Sequence, residues 1–267
     1  MDTIVRTKYG RVEGFESKGL LKWFGIPFAA PPVGRLRFKR TRECEPWEGV
    51  RPAKKFGSRC FQFMDVKMAR TLPWSEDCLY LNVWAPRDAD RCPVFVYIYG
   101  GANVSGEGSD PMYDGSSFAR NGIVYVTYNY RLGPLGFYDF SSWDRSFESN
   151  CGVADQIMGL RWVKENIGAF GGDPDNITIC GESAGGTAVF DMLTAPSAKG
   201  LFNKAIAMSG LADDTVSPRH NRLNMELFME KMGMEPKDLP KLKSMDPSDM
   251  LKAAGWIYAK NNTVYPG

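Results

Sequence analysis

The sequence predicts an α/β protein with a mostly parallel central sheet and helices on both of its faces. Two runs, residues 94–98 and 123–127, are almost entirely apolar and rich in β-branched and aromatic side chains. Strands that are buried on both faces have this composition. Residues 154–167 instead carry apolar side chains at the spacing of a helix. Such an alternation of strands and helices builds a parallel sheet that helices cover.

The other elements are predicted from similar patterns. Residues 3–7 and 11–15 should form a small N-terminal hairpin that turns at a Tyr-Gly pair. Residues 25–34 are rich in proline and are expected to be irregular, and residues 56–74 are expected to be a loop or a broken helix. Further strands are predicted over residues 79–84, 177–180 and, as a short buried strand, 205–208. Further helices are predicted over residues 187–193, 226–232 and 249–256.

Length and composition are sufficient for a large hydrophobic core. The 267 residues are 43% hydrophobic, and we expect a single domain over residues 1–267. The net charge is +2 with both signs interspersed, so no electrostatic argument favours binding to nucleic acid or to an anionic membrane. No window of about 18 apolar residues occurs, so no membrane insertion is expected.

The N-terminus and the cysteines bear on the compartment. The first residues lack the apolar stretch of a signal peptide, which makes a cytoplasmic location the expectation. The six cysteines show neither zinc-ligand spacing nor a Cys-x-x-Cys pair, and in a reducing compartment they should be thiols. Nothing in the sequence implies a metal or another cofactor.

The most informative stretch is Gly181-Glu182-Ser183-Ala184-Gly185, which lies between a β-branched run and a small-residue helical run. Strand, tight turn and helix are the context that a nucleophile elbow requires. Ser183 should stand on a strained turn, flanked by glycines because side chains there would collide with the neighbouring strand and helix. The helix that follows would direct free N–H groups and the positive end of its dipole toward the reaction centre.

A second stretch, Gly100-Gly101-Ala102, follows the predicted strand at residues 94–98. Acyl transfer needs preorganised N–H donors for the oxyanion of the tetrahedral intermediate. A Gly-Gly-Ala run can present its backbone N–H groups, and the residue after the nucleophile, Ala184, supplies another donor. The alternative is an ordinary glycine-rich turn between a strand and a loop.

Two further residues are candidates for a supporting role. Glu182 precedes the nucleophile, and a carboxylate buried there would need hydrogen-bond donors or would hold a proton. Ser209, at the end of the next predicted strand, is its candidate partner. The alternative is that the two are unrelated residues at strand ends.

A serine nucleophile also needs a base, and the base needs an acid that orients it. The chain has one histidine, His220, which lies in a charged segment typical of a solvated helix entry. The chain order of nucleophile, acid and histidine permits His220 as the base. Candidate acids would be Asp191, Asp213 and Asp214. The topology argues against this assignment, because only one short strand separates Ser183 from His220.

Together these motifs resemble the N-terminal half of the type-B carboxylesterases, the family that includes cholinesterases and bacterial p-nitrobenzyl esterases. The Ser-Glu-Asp-Cys-Leu-Tyr-Leu-Asn run at residues 75–82 and the Gly-Glu-Ser-Ala-Gly-Gly run at residues 181–186 are its most specific motifs here. Shorter matches extend along most of the chain, at residues 24–34, 99–102, 130–133, 152–156 and 170–174.

The resemblance implies an α/β-hydrolase fold that lacks its C-terminal part. It implies a serine carboxylic-ester hydrolase that acts on small, uncharged esters through an acyl-enzyme and uses no cofactor. Ser183 would be the nucleophile, and Gly100 would shape the turn beside it. The oxyanion hole would consist of the backbone N–H groups of Gly101, Ala102 and Ala184.

The resemblance also implies structural pairs. These are the ion pairs Arg37 with Glu76 and Arg131 with Asp155, and the disulfide that secreted members form, Cys60 with Cys78. The missing signal peptide leaves the disulfide open. Two positions depart from the family pattern: Tyr99 stands where many members have histidine, and Asn103 replaces a common aromatic residue, which should make the adjoining pocket more polar.

Length is the main departure from the family pattern. Family chains are much longer, and their catalytic acid and histidine match no residue of this chain. We therefore expect a fragment or a truncated form with little esterase activity. The alternatives are a non-catalytic binding or adhesion module on the same scaffold, and an acyltransferase that passes the acyl group to an alcohol. The intact motif around Ser183 favours the enzyme over the binding module, although fold alone does not decide function.

Overall fold

The computed structural model describes residues 2–63, 72–213 and 216–261, with side chains up to residue 258. Within these ranges the chain forms ten β-strands and six α-helices. The strands are β1 (Ile4–Arg6), β2 (Arg11–Glu13), β3 (Phe15–Ser17), β4 (Leu20–Pro27), β5 (Val50–Pro52), β6 (Tyr80–Pro86), β7 (Cys92–Ile98), β8 (Val124–Tyr128), β9 (Gly172–Glu182) and β10 (Lys204–Met208). The helices are α1 (Ser116–Arg120), α2 (Gly133–Phe137), α3 (Cys151–Asn166), α4 (Ala184–Thr194), α5 (Pro218–Lys231) and α6 (Pro247–Asn261).

Seven strands form the central sheet, in the order β10-β9-β7-β8-β6-β4-β3. Neighbours from β10 to β8 are parallel, whereas β6, β4 and β3 continue the sheet by antiparallel pairing. The sheet is therefore mixed, where the sequence predicts a mostly parallel one. Only two residues join β3 to β4, and a connection of that length permits antiparallel pairing only.

Side chains of the central strands alternate between two buried clusters, one on each face of the sheet. On one face, Val96 of β7 belongs to the same hydrophobic cluster as Leu160 of α3 and Val189 of α4. On the other face, the next residue in β7, Phe95, packs against a cluster that includes Trp84 and the α1 residues. The alternation follows from the two-residue period of a strand, and it explains the continuously apolar sequence of these strands.

The predicted N-terminal hairpin is confirmed, since β1 pairs antiparallel with β2, and β5 adds a third strand to this small sheet. The prediction of irregular backbone over residues 25–34 is wrong at its start, because residues 25–27 belong to β4. Gly25 adopts a φ of 69° where the register shifts between Trp23 and Ile26, and Pro27 closes the strand. Proline is tolerated at a strand end and glycine at a bulge, so neither residue stops β4 early.

The C-terminal helices pack away from the sheet. A second hydrophobic cluster joins Leu135 of α2, Phe228 of α5 and Ala254 of α6. Arg37 connects this cluster to the rest, because its guanidinium donates to the Leu242 and Met245 carbonyls at 2.9 and 2.6 Å. None of the described helices combines the length and the apolar character that crossing a bilayer takes. Part of the predicted loop at residues 56–74 lies outside the described residues.

The strand β10 lies at the edge of the central sheet and pairs with β9 alone among the described strands. All five of its residues are exposed, including Ile206 and Met208, with exposed fractions of 44% and 40%. The prediction that residues 205–208 form a buried strand is therefore wrong. An apolar strand has the same composition at the edge of a sheet as at its centre, and only the missing neighbour distinguishes the two.

The junction of β9 and α4 is built on direct contact between backbones. A Cβ atom on Gly181 would stand 2.1 Å from the Gly185 carbonyl oxygen, and one on Gly185 would stand 2.1 Å from the Ile98 carbonyl oxygen. One on Gly186 would stand 2.6 Å from the Met208 carbonyl oxygen. No side chain fits at these distances, so the three glycines allow α4 to start directly against β7, β9 and β10.

Both ion pairs that the resemblance implies are present. The Arg131 guanidinium makes two 2.8 Å bonds to Asp155, and the Arg131 backbone N–H donates to the same carboxylate at 2.9 Å. Both side chains are buried, and the Asp155 charge raises the pKa of Arg131 against the opposing effect of burial. Arg37 makes a second bidentate pair with Glu76. Loss of one partner from such a buried pair leaves an uncompensated charge.

The disulfide between Cys60 and Cys78 is present. The expectation that all six cysteines are thiols is therefore wrong for these two, whereas Cys44, Cys92, Cys151 and Cys180 are free. The spacing of cysteines along the sequence gives no sign of this pairing. It arises because the segment after β5 folds back beside the start of β6.

We expect Asp155→Asn to lower the free energy of unfolding by about 3–5 kcal/mol, because it leaves the buried Arg131 guanidinium without its carboxylate partner. Urea titration at neutral pH measures this loss. The matched control is Asp173→Asn, since Asp173 also makes two bonds to one arginine, Arg91, whose side chain is 68% exposed. That change should cost less than about 1 kcal/mol. Equal losses in the two variants would contradict the role of the buried pair.

We expect Gly185→Ala to lower the free energy of unfolding by about 3 kcal/mol or to prevent folding, because the new methyl group meets a backbone carbonyl that cannot move away. Gly168→Ala is the control, because a Cβ at Gly168 meets no atom within 4 Å. It should change stability by less than about 1 kcal/mol. Thermal or urea unfolding of both variants checks the pair, and a well-folded Gly185→Ala protein of unchanged stability would refute the tight junction.

Candidate active site

Ser183 stands at the turn between β9 and α4, where it is the N-cap residue of the helix. Its φ and ψ are 57° and −125°, a region that non-glycine residues rarely adopt. The backbone on both sides holds it there: the Ser183 N–H donates to the Met208 carbonyl at 2.9 Å, and its carbonyl accepts from the Thr187 N–H at 2.9 Å. The strained turn that the Gly-x-Ser-x-Gly motif predicts is therefore present.

The Gly100-Gly101-Ala102 run lies against this turn. A Cβ atom on Gly100 would stand 2.5 Å from the Glu182 carbonyl oxygen and 3.0 Å from the Ser183 Cβ atom. Gly101 and Ala102 have φ values of 115° and 53°, so the chain reverses immediately after β7. Ala184 is the first residue of α4, and the first N–H groups of a helix have no intrahelical partner.

The reversal after β7 is closed by its own hydrogen bonds. The Gly101 carbonyl accepts from the N–H groups of Val104 and Ser105 at 3.0 and 3.1 Å, and the Asn103 carbonyl accepts from the Gly133 N–H at 2.7 Å. Within the described part of the chain, the N–H groups of Gly101 and Ala102 donate to no acceptor. Two backbone donors thus remain available beside the nucleophile turn.

A cleft of about 260 Å³ opens over Ser183. Its walls combine backbone from the two glycine-rich turns with polar and apolar side chains. The lining residues are Arg59, Gln62, Gly100, Gly101, Ser105, Gly106, Glu107, Asp110, Met112, Tyr113, Glu182 and Ser183. The cleft therefore brings the predicted nucleophile and part of the predicted oxyanion turn into one concave site.

The wall of the cleft holds a buried ion pair. Arg59 and Glu107 lie 3.4 Å apart, with side-chain exposures of 9% and 1%. The Arg59 Nε also donates to the Leu72 carbonyl at 2.9 Å, which ties this wall to the segment before Cys78. No sequence motif singles out these two residues, because they come together only when the loop after β7 meets the loop after β5.

The phenol of Tyr113 borders the cleft and is neutral at physiological pH. Burial, together with the neighbouring Tyr97 and the carboxylates of Asp110 and Glu182, raises the pKa of Tyr113 to about 12. Burial and the charge of Glu182 also raise the pKa of Tyr97, which lies 4.8 Å from Tyr113 between ring centroids. These phenols are therefore hydrogen-bond donors in this part of the molecule and not bases.

Two predicted supporting residues do not behave as expected. Glu182 is exposed and lines the cleft, so the premise that it is a buried carboxylate is wrong. Ser209 is exposed as well, and no hydrogen bond joins it to Glu182 in the described residues. The reason is the position of β10 at the edge of the sheet, which leaves the ends of β9 and β10 facing solvent.

The one histidine lies outside the cleft. His220 is exposed in the first turn of α5, where its N–H donates to the Ser217 Oγ at 3.3 Å and its Nδ1 lies 3.3 Å from the same oxygen. Ser217 is therefore the N-cap of α5, which agrees with the predicted solvent-exposed start of a helix at this segment. Of the candidate acids, Asp191 and Asp213 do not line the cleft, and Asp214 lies outside the described residues. The described residues contain no cluster of three or more side chains that could hold a metal ion.

Comparison with known proteins places these features in a family. The model of the carboxylesterase family matches residues 1–265. The para-nitrobenzyl esterase of Bacillus subtilis is 48% identical over 256 residues, which cover 94% of this chain and 52% of that protein. The solved structure of a PNB esterase superposes with a TM-score of 0.92 at 44% identity, and the match covers 97% of this chain and 54% of that one.

A Geobacillus stearothermophilus carboxylesterase superposes with a TM-score of 0.89 at 40% identity, and the match covers 98% of this chain and 55% of that one. The chain thus spans about half the length of the relatives it matches. Its mixed sheet, helices and nucleophile turn are those of the α/β-hydrolase fold that the sequence motifs imply. The chain belongs to the carboxylesterase family.

Proposed function

We propose that the chain carries the nucleophile and the oxyanion site of a serine carboxylic-ester hydrolase. The observation that supports this most directly is the strained backbone of Ser183, at a φ of 57°, in contact with the glycine run that follows β7. Strain of this kind persists only where the surrounding structure over-determines it, and it is typical of functional sites. The relatives named para-nitrobenzyl esterase and carboxylesterase add support from outside the chain.

In the proposed reaction the Ser183 hydroxyl oxygen forms a bond to the carbonyl carbon of an ester while its proton passes to a base, which later returns the proton to the leaving alcohol. The carbonyl oxygen becomes an oxyanion, which the N–H groups of Gly101, Ala102 and Ala184 bind. The intermediate collapses, the alcohol leaves, and the acyl group stays on Ser183 until water releases the acid. Each such donor, once lost, typically reduces the rate by about 10²–10³.

The cleft supports small, uncharged esters as substrates. Its volume of about 260 Å³ suits a compact molecule rather than a long chain. Among the described residues, three carboxylates, those of Glu107, Asp110 and Glu182, line it against one guanidinium, that of Arg59, and this balance would repel an anionic substrate. Asn103 is not among the residues that line the cleft, so a more polar pocket beside Asn103 stays a prediction.

The described part of the cleft does not contain the base that would accept the Ser183 proton. No histidine lines the cleft, and His220 lies in the first turn of α5, where its backbone N–H donates to the N-cap residue Ser217. We therefore propose that the 267 residues alone hydrolyse esters poorly. Cytoplasmic residence stays a prediction, and the Cys60–Cys78 disulfide, a type of bond that is rare in the reducing cytosol, weighs against it.

We expect a fluorophosphonate probe to label the folded chain selectively at Ser183, since attack at phosphorus places negative charge on an oxygen that the same N–H groups would bind. Mass spectrometry of the labelled peptide locates the site. Ser183→Ala should abolish labelling, whereas Ser117→Ala, which changes an exposed serine of α1, should leave it unchanged. Labelling should be slow, because no histidine lines the cleft to accept the Ser183 proton. A folded chain whose Ser183 reacts no faster than its exposed serines would favour a non-catalytic binding module.

We expect hydrolysis of a p-nitrophenyl ester by the isolated chain to be slow. An oxyanion site without a complete triad still accelerates the reaction by about 10³–10⁴ over water. Release of p-nitrophenol, corrected for the rate of Ser183→Ala, measures this residual activity. Turnover of the same order as complete esterases, dependent on Ser183, would show that the chain contains its own base.

A further inference from the structure

Gln62 is a buried side chain in the wall of the cleft to which the proposed reaction assigns no role. It is 4% exposed and makes three hydrogen bonds to other described residues. Its Nε2 donates to the Cys60 and Gly106 carbonyls, both at 3.3 Å, and its Oε1 accepts from the Gly106 N–H at 3.0 Å. One carboxamide therefore satisfies both backbone polar groups of Gly106, as a neighbouring strand would.

Gly106 lies directly against the backbone where β7 ends. Its φ is 116°, and a Cβ atom there would stand 2.7 Å from the Gly100 carbonyl oxygen and 2.5 Å from the Tyr99 ring. Gly100 in turn contacts Ser183, as described above. Close-packed atoms transmit displacement, so the position of Gly106 bears on the backbone beside the nucleophile.

The segment between Gly101 and Gly106 is a closed loop with its two ends in contact. Its internal hydrogen bonds run from the N–H groups of Val104 and Ser105 to the Gly101 carbonyl, and they stabilise the conformation of the loop. They do not fix the loop relative to the sheet. In the described chain, two sets of hydrogen bonds join this loop to other segments. One is the bond from the Gly133 N–H to the Asn103 carbonyl, and the other is the pair of bonds between the Gln62 carboxamide and Gly106.

Gln62 is itself firmly held. The carbonyl that receives its Nε2 belongs to Cys60, and the disulfide joins Cys60 to Cys78 immediately before β6. Asn129 donates to the Cys78 carbonyl at 3.1 Å and accepts from the Gly108 N–H at 2.9 Å. A second carboxamide thus joins the same disulfide-linked segment to Gly108, two residues beyond the end of the loop.

We propose that Gln62 is a positioning residue for the oxyanion site. Its carboxamide holds Gly106 against Gly100 and thereby orients the N–H groups of Gly101 and Ala102 toward Ser183. Gln62 does not touch the substrate in this role and acts only through Gly106. The inference rests on the proposed function, because it assigns the orienting contact of the same site.

The test compares Gln62→Met with Gln156→Met in the full 267-residue chain. The chain has only these two glutamines, and Gln156 is 1% exposed in α3 and does not line the cleft. Methionine keeps the length of the side chain and removes the amide. Gln62→Met should lower the maximal rate of fluorophosphonate labelling at Ser183 at least tenfold with the half-saturating probe concentration unchanged, since small misplacements at a reacting centre cost up to about 10²-fold. Gln156→Met should change the rate less than threefold.

Hydrogen exchange of the peptide that spans residues 100–108 provides a readout that does not need reactivity. Exchange of the Val104 and Ser105 amides should accelerate at least tenfold in Gln62→Met and stay unchanged in Gln156→Met. If Ser183 of the parent chain is labelled no faster than its exposed serines, the proposed function loses its support, and the exchange result alone decides for or against the role of Gln62. Unchanged exchange in Gln62→Met, or labelling within threefold of the parent rate, would overturn the proposal.

Gln62→Glu serves if the methionine variant does not fold. A carboxylate still accepts the Gly106 N–H but cannot donate to the carbonyls of Gly106 and Cys60. Labelling should again fall at least tenfold in its maximal rate, and exchange at Val104 and Ser105 should rise. A glutamate variant that matches the parent in both measurements would overturn the proposal as well.

Discussion

The structure around Ser183 depends on the absence of side chains where three pieces of backbone meet. The end of β7, the end of β9 and the start of α4 approach so closely that Cβ atoms on Gly100, Gly181 and Gly185 would overlap carbonyl oxygens at 2.1–2.5 Å. Ser183 carries the side chain nearest to this contact, at a φ that costs about 1–3 kcal/mol for a residue other than glycine. The packed sheet and helix offset that strain, and the turn is thereby held against the Gly100-Gly101-Ala102 run, in which the N–H groups of Gly101 and Ala102 have no acceptor in the described chain.

Two other kinds of interaction keep this junction in place. The alternation of β7 and β8 side chains between two apolar clusters fixes the register of the strands, because a shift by one residue would exchange the two faces. The buried pair of Arg131 and Asp155 then anchors the segment after β8 to α3. Arg131 lies two residues before Gly133, and the Gly133 N–H donates to the Asn103 carbonyl. Residues 131–133 therefore contact both Asp155 and the turn that follows β7.

Much of this could be predicted from local sequence. The turn at Ser183 was predictable because the motif states its own steric requirement, and the central strands were predictable because burial on both faces removes polar residues. The exposure of β10 could not be predicted, since apolar residues such as Ile206 and Met208 indicate a buried strand until the neighbours of that strand are known. The exposure of Glu182 could not be predicted for the same reason, because Glu182 ends β9 beside the edge strand β10.

Gln62 shows the other limit of sequence analysis. Nothing near Gln62 in the sequence indicates Gly106, and the bond between them exists because the loop before β6 and the loop after β7 meet over the cleft. The same holds for Arg59 and Glu107. Contacts between distant loops follow from the whole fold, so a local motif predicts the nucleophile and not the residues that surround it.

The bond from the Ser183 N–H to the Met208 carbonyl has a consequence for dynamics. It links Ser183, whose φ is 57°, to β10, an edge strand that pairs with β9 alone among the described strands. Edge strands open more easily than central ones, and local opening frees whatever they bind. Each opening of β10 therefore releases the Ser183 amide, so the lifetime of a peripheral strand limits how long the strained turn at Ser183 persists.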